Sequence, residues 1–130
     1  MVSLFTRIVK GEIPCYKIAE TEDFLAFLDI NPLTKGHLLC IPKQEVDYLF
    51  DLEDESYLGL QLFAKMVAKG LKEAVPCERI GVSVIGLEVP HPHIHLVPMN
   101  SMDDLNFANE RVKLTPDEFE NIAAEIRKQL

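Results

Sequence analysis

This sequence predicts an α+β domain with a mainly antiparallel sheet. Three observations carry the expectation. Short apolar runs are bounded by polar or turn-forming residues, two stretches have helical signatures, and the connections between them are short and mixed in order. With 130 residues, 48% apolar and 26% charged, the chain reads as one soluble domain over 1–130 with a core of its own.

The elements follow in order. Ser3 can cap a short helix from Phe5 to Lys10, stopped by Gly11. "FLAFLDI", residues 24–30, reads as a strand. "NPLTKG" (31–36) reads as a turn, and "HLLCIP" (37–42) as a second strand, giving an antiparallel hairpin. The main helix runs from Asp54 to about Val75. Leu58, Leu62 and Met66 recur at i+4 with Phe63 and Val67 beside them, and this stripe is expected to pack on the sheet. "RIGVSVIG" (79–86) and "HIHLVP" (93–98) read as further strands. The stretch from Thr115 reads as a terminal helix: Thr115 as N-cap, Pro116 in the first position, acids in the first turn, Arg127 and Lys128 near the end.

Composition excludes some functions. Thirteen Lys and Arg against 21 Asp and Glu leave a formal charge of −8, which argues against binding a nucleic acid polymer. No apolar run is long enough to span a membrane, and the N-terminus lacks a secretory signal's apolar stretch. Cys15, Cys40 and Cys77 are odd in number and lack CxxC spacing, as expected for free thiols in a cytoplasmic protein.

Three of the four histidines lie in "VPHPHIHLVP", residues 89–98, at every second position: His91, His93 and His95. On a strand they share one face, roughly 6.6 Å apart, with Ile94 and Leu96 turned to the core. Pro90 and Pro92 lack N–H donors, so the histidines are expected to enter the sheet from a loop or an open edge. Three readings stay open on these residues alone. One is a solvated or satisfied histidine face. Another is a metal site, with no Asp, Glu or Cys in the motif to complete it. The third is a nucleophilic or acid–base site acting on an anion, since clustered imidazoles oppose one another's protonation.

The stretch "HPHIHLVP" resembles the histidine-triad (HIT) family. "LFTRIVKGEIPC", "AFLDINPLTKGHLLCIPK" and "GLEVPHPHIHLVP" are similar to that family's segments in the same order, from Leu4 to about Asn100. The tail from Ser101 resembles it only loosely. The resemblance implies two five-stranded sheets joined in a homodimer, and a nucleotide-binding hydrolase or transferase. Such an enzyme acts at the α-phosphate of nucleoside phosphoramidates or dinucleoside polyphosphates through a nucleotidyl-histidine. It implies His93 as nucleophile, flanked by His91 and His95, with His37 supporting the cluster. Asp29 would accept from the ribose hydroxyls. Phe5, Ile8, Ile13, Phe27, Ile30 and Leu39 would surround the base, and their flat apolar character favours a purine. The alternative is a nucleotide-binding or dimeric interaction protein with little turnover. Leu87 and Glu88 stand where many members carry polar residues, and the loop "VSVIG" (82–86) is short. Ser3, Leu4, Phe5 and Thr6 replace the two-cysteine zinc pattern of some members, so neither a structural metal nor a cofactor is expected.

Overall fold

The computed structural model describes residues 2–130. Its strands are β1 (Lys17–Glu20), β2 (Phe24–Leu28), β3 (Leu38–Pro42), β4 (Arg79–Ser83) and β5 (Ile94–Met99). Its helices are α1 (Leu4–Val9), α2 (Asp54–Ala74) and α3 (Pro116–Arg127), with short 3₁₀ turns at Leu49–Asp51 and Met102–Leu105. The strands form one sheet in the order β1-β2-β3-β5-β4, and every neighbouring pair is antiparallel.

The hairpin pairs Phe24 with Pro42 and Leu28 with Leu38. Both its strands are covered on both faces, which is why they read as continuous apolar runs rather than alternating ones. One face carries Ala26, Leu28, Leu38, Cys40, Ile94 and Leu96 against α2 and α3. The opposite face carries Leu25, Phe27, Leu39 and Ile41, covered by Phe5 of α1. The hairpin's return depends on Gly36. Its φ of +96° is one that L side chains rarely adopt, and an added Cβ would meet Val75, Leu71 and Pro98 at 3.0–3.2 Å. His37 follows directly.

Two expectations need correction. Leu58, Leu62 and Met66 do not pack on the sheet: they are 59%, 67% and 43% exposed. Leu60, Phe63, Ala64, Val67 and Leu71 form the buried face instead. Apolar residues cover more than one side of α2, so periodicity alone could not choose between the stripes. The triad strand is also not at an edge. β5 lies between β3 and β4, and the edges are β1 and β4.

Smaller differences lie at the ends. The expected strands 24–30 and 37–42 are trimmed to the residues that pair, leaving Asp29, Ile30 and His37 in the turn. The strand expected over 79–86 stops at Ser83, before Gly86 with its φ of +77° and the prolines. β1 gave no signal because it is four residues long, buries only Ile18 and carries a register shift. The α3 cap is as expected: Thr115 accepts from the Glu118 N–H, and Glu118 returns the bond. No helix among the described residues is long and apolar enough to cross a membrane.

Leu60 is fully buried in the α2–sheet core. Leu60→Ala is expected to cost about 2–5 kcal/mol of stability. Urea denaturation checks this; a loss under roughly 1 kcal/mol would mean α2 does not pack through that face.

Candidate active site

Four histidines converge on the sheet face opposite α2, and backbone pairing delivers them. Phe27 pairs with Leu39, Leu39 with His95 and His95 with Ser83, so these four side chains form one row across the sheet. Ser83 carried no signal in the sequence; only the register brings it beside His95. His91 and His93 precede β5, whose pairing to β3 starts at Ile94 opposite Cys40. They enter from a loop, as the missing N–H groups of Pro90 and Pro92 require. All four histidines are buried.

The hydrogen bonds assign the protons. A neutral imidazole has one N–H and one lone pair. Nδ1 of His93 lies 2.7 Å from the His91 carbonyl, which can only accept, so Nδ1 carries the hydrogen. In neutral His93 the lone pair is therefore on Nε2. Nδ1 of His37 accepts the Leu33 backbone N–H at 2.9 Å, so Nε2 of neutral His37 carries the hydrogen. That N–H donates to Nδ1 of His95 at 3.0 Å, which leaves the His95 proton on its own Nε2. The cluster thus holds a bare nitrogen on His93 and an N–H on His95, with ring centroids 4.9 Å apart.

His91 is fixed differently. Its Nε2–H donates to the Pro42 carbonyl at 2.7 Å, and Nδ1 accepts from the Ser3 hydroxyl at 2.9 Å, with the Thr6 hydroxyl at 3.4 Å. Ser3 also takes the Thr6 N–H, and its own N–H donates to Glu45 at 2.9 Å. The N-cap of α1, read from the sequence only as a cap, is also what holds the His91 ring. This immobilises the carbonyl that orients His93.

Burial sets the charges. It pushes His37 down to about 3, helped by repulsion from His95 and Arg111. It pushes His95 down to about 4, helped by His93 and Arg111. His91 is lowered by burial, opposed by the Pro42 carbonyl and Glu45. The Asp29 carboxyl is raised by burial, against the Asn31 N–H and the charges of Arg111 and His93. The 3.6 Å approach of Asp29 to His37 is thus a carboxylate beside a neutral ring, not an ion pair.

Two places invite a metal, and neither suits one. Asp29, His37 and His95 offer ligand atoms within 4.8 Å of one another. However, Nε2 of His37 is a donor, and freeing its lone pair would set an Nδ1–H against the Leu33 N–H. At His91 the remaining ring nitrogen faces two hydroxyls, which are poor zinc ligands beside thiolate, imidazole or carboxylate.

The other expected residues divide. Phe5, Phe27 and Leu39 are buried together, and Phe5 meets Phe27 and His93 edge-on at 5.6 and 5.1 Å. Ile8 packs half-buried against them, and Ile13 is half-buried in the loop after α1. Ile30 is 66% exposed. Oδ1 of Asp29 accepts the Asn31 N–H at 2.8 Å, the turn bond that an Asp before "NP" suggests. Its other oxygen faces the histidines. Leu87 and Glu88 are exposed. The largest groove, about 730 Å³ between α2, β4 and the C-terminus, is lined by none of the four histidines.

Comparison with known proteins agrees with this geometry. The family model described as HIT domain matches residues 10–102. An adenosine 5'-monophosphoramidase from Schizosaccharomyces pombe is 35% identical over 132 residues, covering 100% of this chain and 99% of the relative. A HIT-like protein of Bartonella henselae, solved as a crystal structure, is 28% identical with a TM-score of 0.85, covering 98% of this chain and 96% of that one. A zinc-bound histidine triad family protein from Mycobacterium smegmatis is 30% identical with a TM-score of 0.82, covering 97% and 91%.

The depressed histidines link stability to pH. His37 and His95 titrate near 3 and 4 when folded, against about 6.5 unfolded. Between those values the unfolded chain binds more protons, so stability rises with pH there. It is expected to be complete above about pH 6.5 and to fall as the pH drops toward 4, beginning above the usual carboxylate range. Urea denaturation at about pH 7 and about pH 5 tests this; equal stability at both would mean the rings are not held neutral.

Proposed function

The chain belongs to the HIT-domain family, and from that premise we propose that it is a nucleotide phosphoramidase or nucleotidyl hydrolase with His93 as its nucleophile. One observation carries the reading: the His91 carbonyl fixes the Nδ1–H of His93 and leaves Nε2 bare beside the His95 N–H. Nε2 attacks the α-phosphorus, a P–N bond forms, and the bond to the leaving group breaks. The leaving nitrogen takes a proton from solvent. Water then attacks the nucleotidyl-histidine, the P–N bond to His93 breaks, and the ring returns to its starting state. A neutral imidazole suits the first step because it approaches an anionic phosphate without adding negative charge.

The helpers follow from their protons. Held neutral, His95 and His37 act as hydrogen-bond donors to the phosphoryl group rather than as proton reservoirs at neutral pH. His91 acts through its carbonyl. The free oxygen of Asp29 accepts from the ribose, and the cluster of Phe5, Ile8, Ile13, Phe27, Ile30 and Leu39 receives a purine. The S. pombe relative's name supports an adenosine phosphoramidate as substrate. Three free thiols fit a cytoplasmic setting.

A homodimer belongs to the same proposal. Leu58, Leu62 and Met66 on α2 and Val82 on the edge strand β4 are exposed apolar residues. Pairing two copies through α2 and β4 covers them and closes the sheet edge.

Two measurements test these readings. His93→Ala is expected to lower turnover of adenosine phosphoramidate by roughly 10³-fold or more, and mass spectrometry after a neutral quench is expected to find the nucleotidyl adduct on His93. Nucleotide binding without turnover by the unsubstituted protein would return the reading to a binding protein. Light scattering is expected to give a dimer for the protein and a monomer for Leu62→Lys. A monomer for the unsubstituted chain at micromolar concentration would remove the dimer.

A further inference from the structure

The span matched by the family model ends at residue 102. The loop beyond it nevertheless returns to the histidines. After the 3₁₀ turn at Met102–Leu105, Phe107 lies edge-on to two of them, with centroids 4.8 Å from His95 and 6.3 Å from His37. These are the two rings joined by the buried N–H···N bond. Phe107 offers no donor or acceptor, so its contribution is to exclude water.

The loop is held at both ends. On one side Asn109 donates to the Asp103 carbonyl at 2.7 Å, and the Ala108 N–H to the Asn106 side chain at 2.9 Å. On the other, Arg111 donates to the Asn31 carbonyl at 2.8 Å and to the Phe107 carbonyl at 3.2 Å, and the Val112 N–H bonds the Pro32 carbonyl at 2.9 Å. The Arg111 guanidinium sits 5.6 Å from the Phe107 ring centre. It forms no salt bridge among the described residues. One arginine thus fastens the aromatic ring to the turn that carries Asp29 and His37.

We propose that Phe107 is a positioning residue of the active site and that Arg111 clamps it, so that the loop over residues 106–112 forms a dry wall keeping His37 and His95 neutral and bonded to each other. If His95 gained a proton on Nδ1, two N–H groups would face each other at 3.0 Å and the bond would break. An apolar wall opposes that proton by desolvation, and the Arg111 charge opposes it by repulsion. The aromatic face gives little relief to an imidazolium, because the guanidinium already lies over it. Other charged groups facing the pair are Asp29 from the turn after β2 and His93 from before β5; Glu88 acts on Asp29. Asp29 alone would draw a proton to the pair.

The kinetic consequence rests on the phosphoramidase reading, but ring protonation is measurable without substrate. Phe107→Ala, Phe107→Leu and Arg111→Gln are compared with the unsubstituted protein by NMR titration of the histidine rings and by kinetics on adenosine phosphoramidate. Phe107→Ala is expected to raise the His95 midpoint by about one pH unit or more, leaving His91, which does not touch Phe107, in place. At about pH 6, kcat is expected to fall by roughly 10-fold or more with KM little changed, the acid limb of kcat moving up with the His95 midpoint. Phe107→Leu is expected to restore most of both, and Arg111→Gln to give a smaller rise of the same sign. Folding of each variant is checked by thermal denaturation; should Phe107→Ala not fold, Phe107→Leu and Arg111→Gln carry the test. The proposal is overturned if a folded variant that removes the wall or the clamp leaves the His95 and His37 titrations unchanged, or if Phe107→Leu behaves as Phe107→Ala. If the midpoints move but neither the variants nor the unsubstituted protein turns over phosphoramidate, the wall stands and the phosphoramidase reading falls.

Discussion

A neutral imidazole has a single N–H, and the site is organised by where each of four rings spends it. His93 gives its hydrogen to the His91 carbonyl, His91 to the Pro42 carbonyl and His37 to His95. Each assignment follows from a partner that can only accept, or from a backbone N–H that can only donate. Protonating His37 or His95 would break a buried hydrogen bond as well as bury a charge, and burial already holds both low.

The fold serves this constraint. The hairpin β2–β3 supplies the Pro42 carbonyl at one end and the Gly36–His37 turn at the other. The Leu33 N–H that settles His37 comes from that same turn. Helix α1 contributes twice, with the Ser3 hydroxyl on the His91 ring and with Phe5 against His93. Main-chain groups in a paired sheet cannot turn away when a side chain is substituted. A lone pair set by a carbonyl is therefore more firmly placed than one set by another side chain.

Much of this was legible in the sequence. The alternation of His91, His93 and His95 with apolar residues placed the rings on one face, and the strand order is consistent with the resemblance. What was not legible depended on contacts distant in sequence. Ser3 reads as a helix cap, and nothing in "VSLF" says that its hydroxyl also reaches a histidine 88 residues away. Ser83 needs the β4–β5 register. Phe107 lies beyond the family's span and carries no local motif. The stripe on α2 was misread because two apolar faces compete on one helix, and only the packed sheet chooses Leu60 and Phe63 over Leu58 and Leu62.

The central claim is the proton assignment, and ¹⁵N NMR of the histidine rings at neutral pH reads it directly. The account requires His93 in its Nδ1–H form with a bare Nε2, and His37, His91 and His95 in their Nε2–H forms, with His37 and His95 uncharged. A hydrogen on Nε2 of neutral His93, or a charged His95 at neutral pH, would contradict it, because the nucleophile would then have no lone pair to offer or its neighbour no buried bond to hold it.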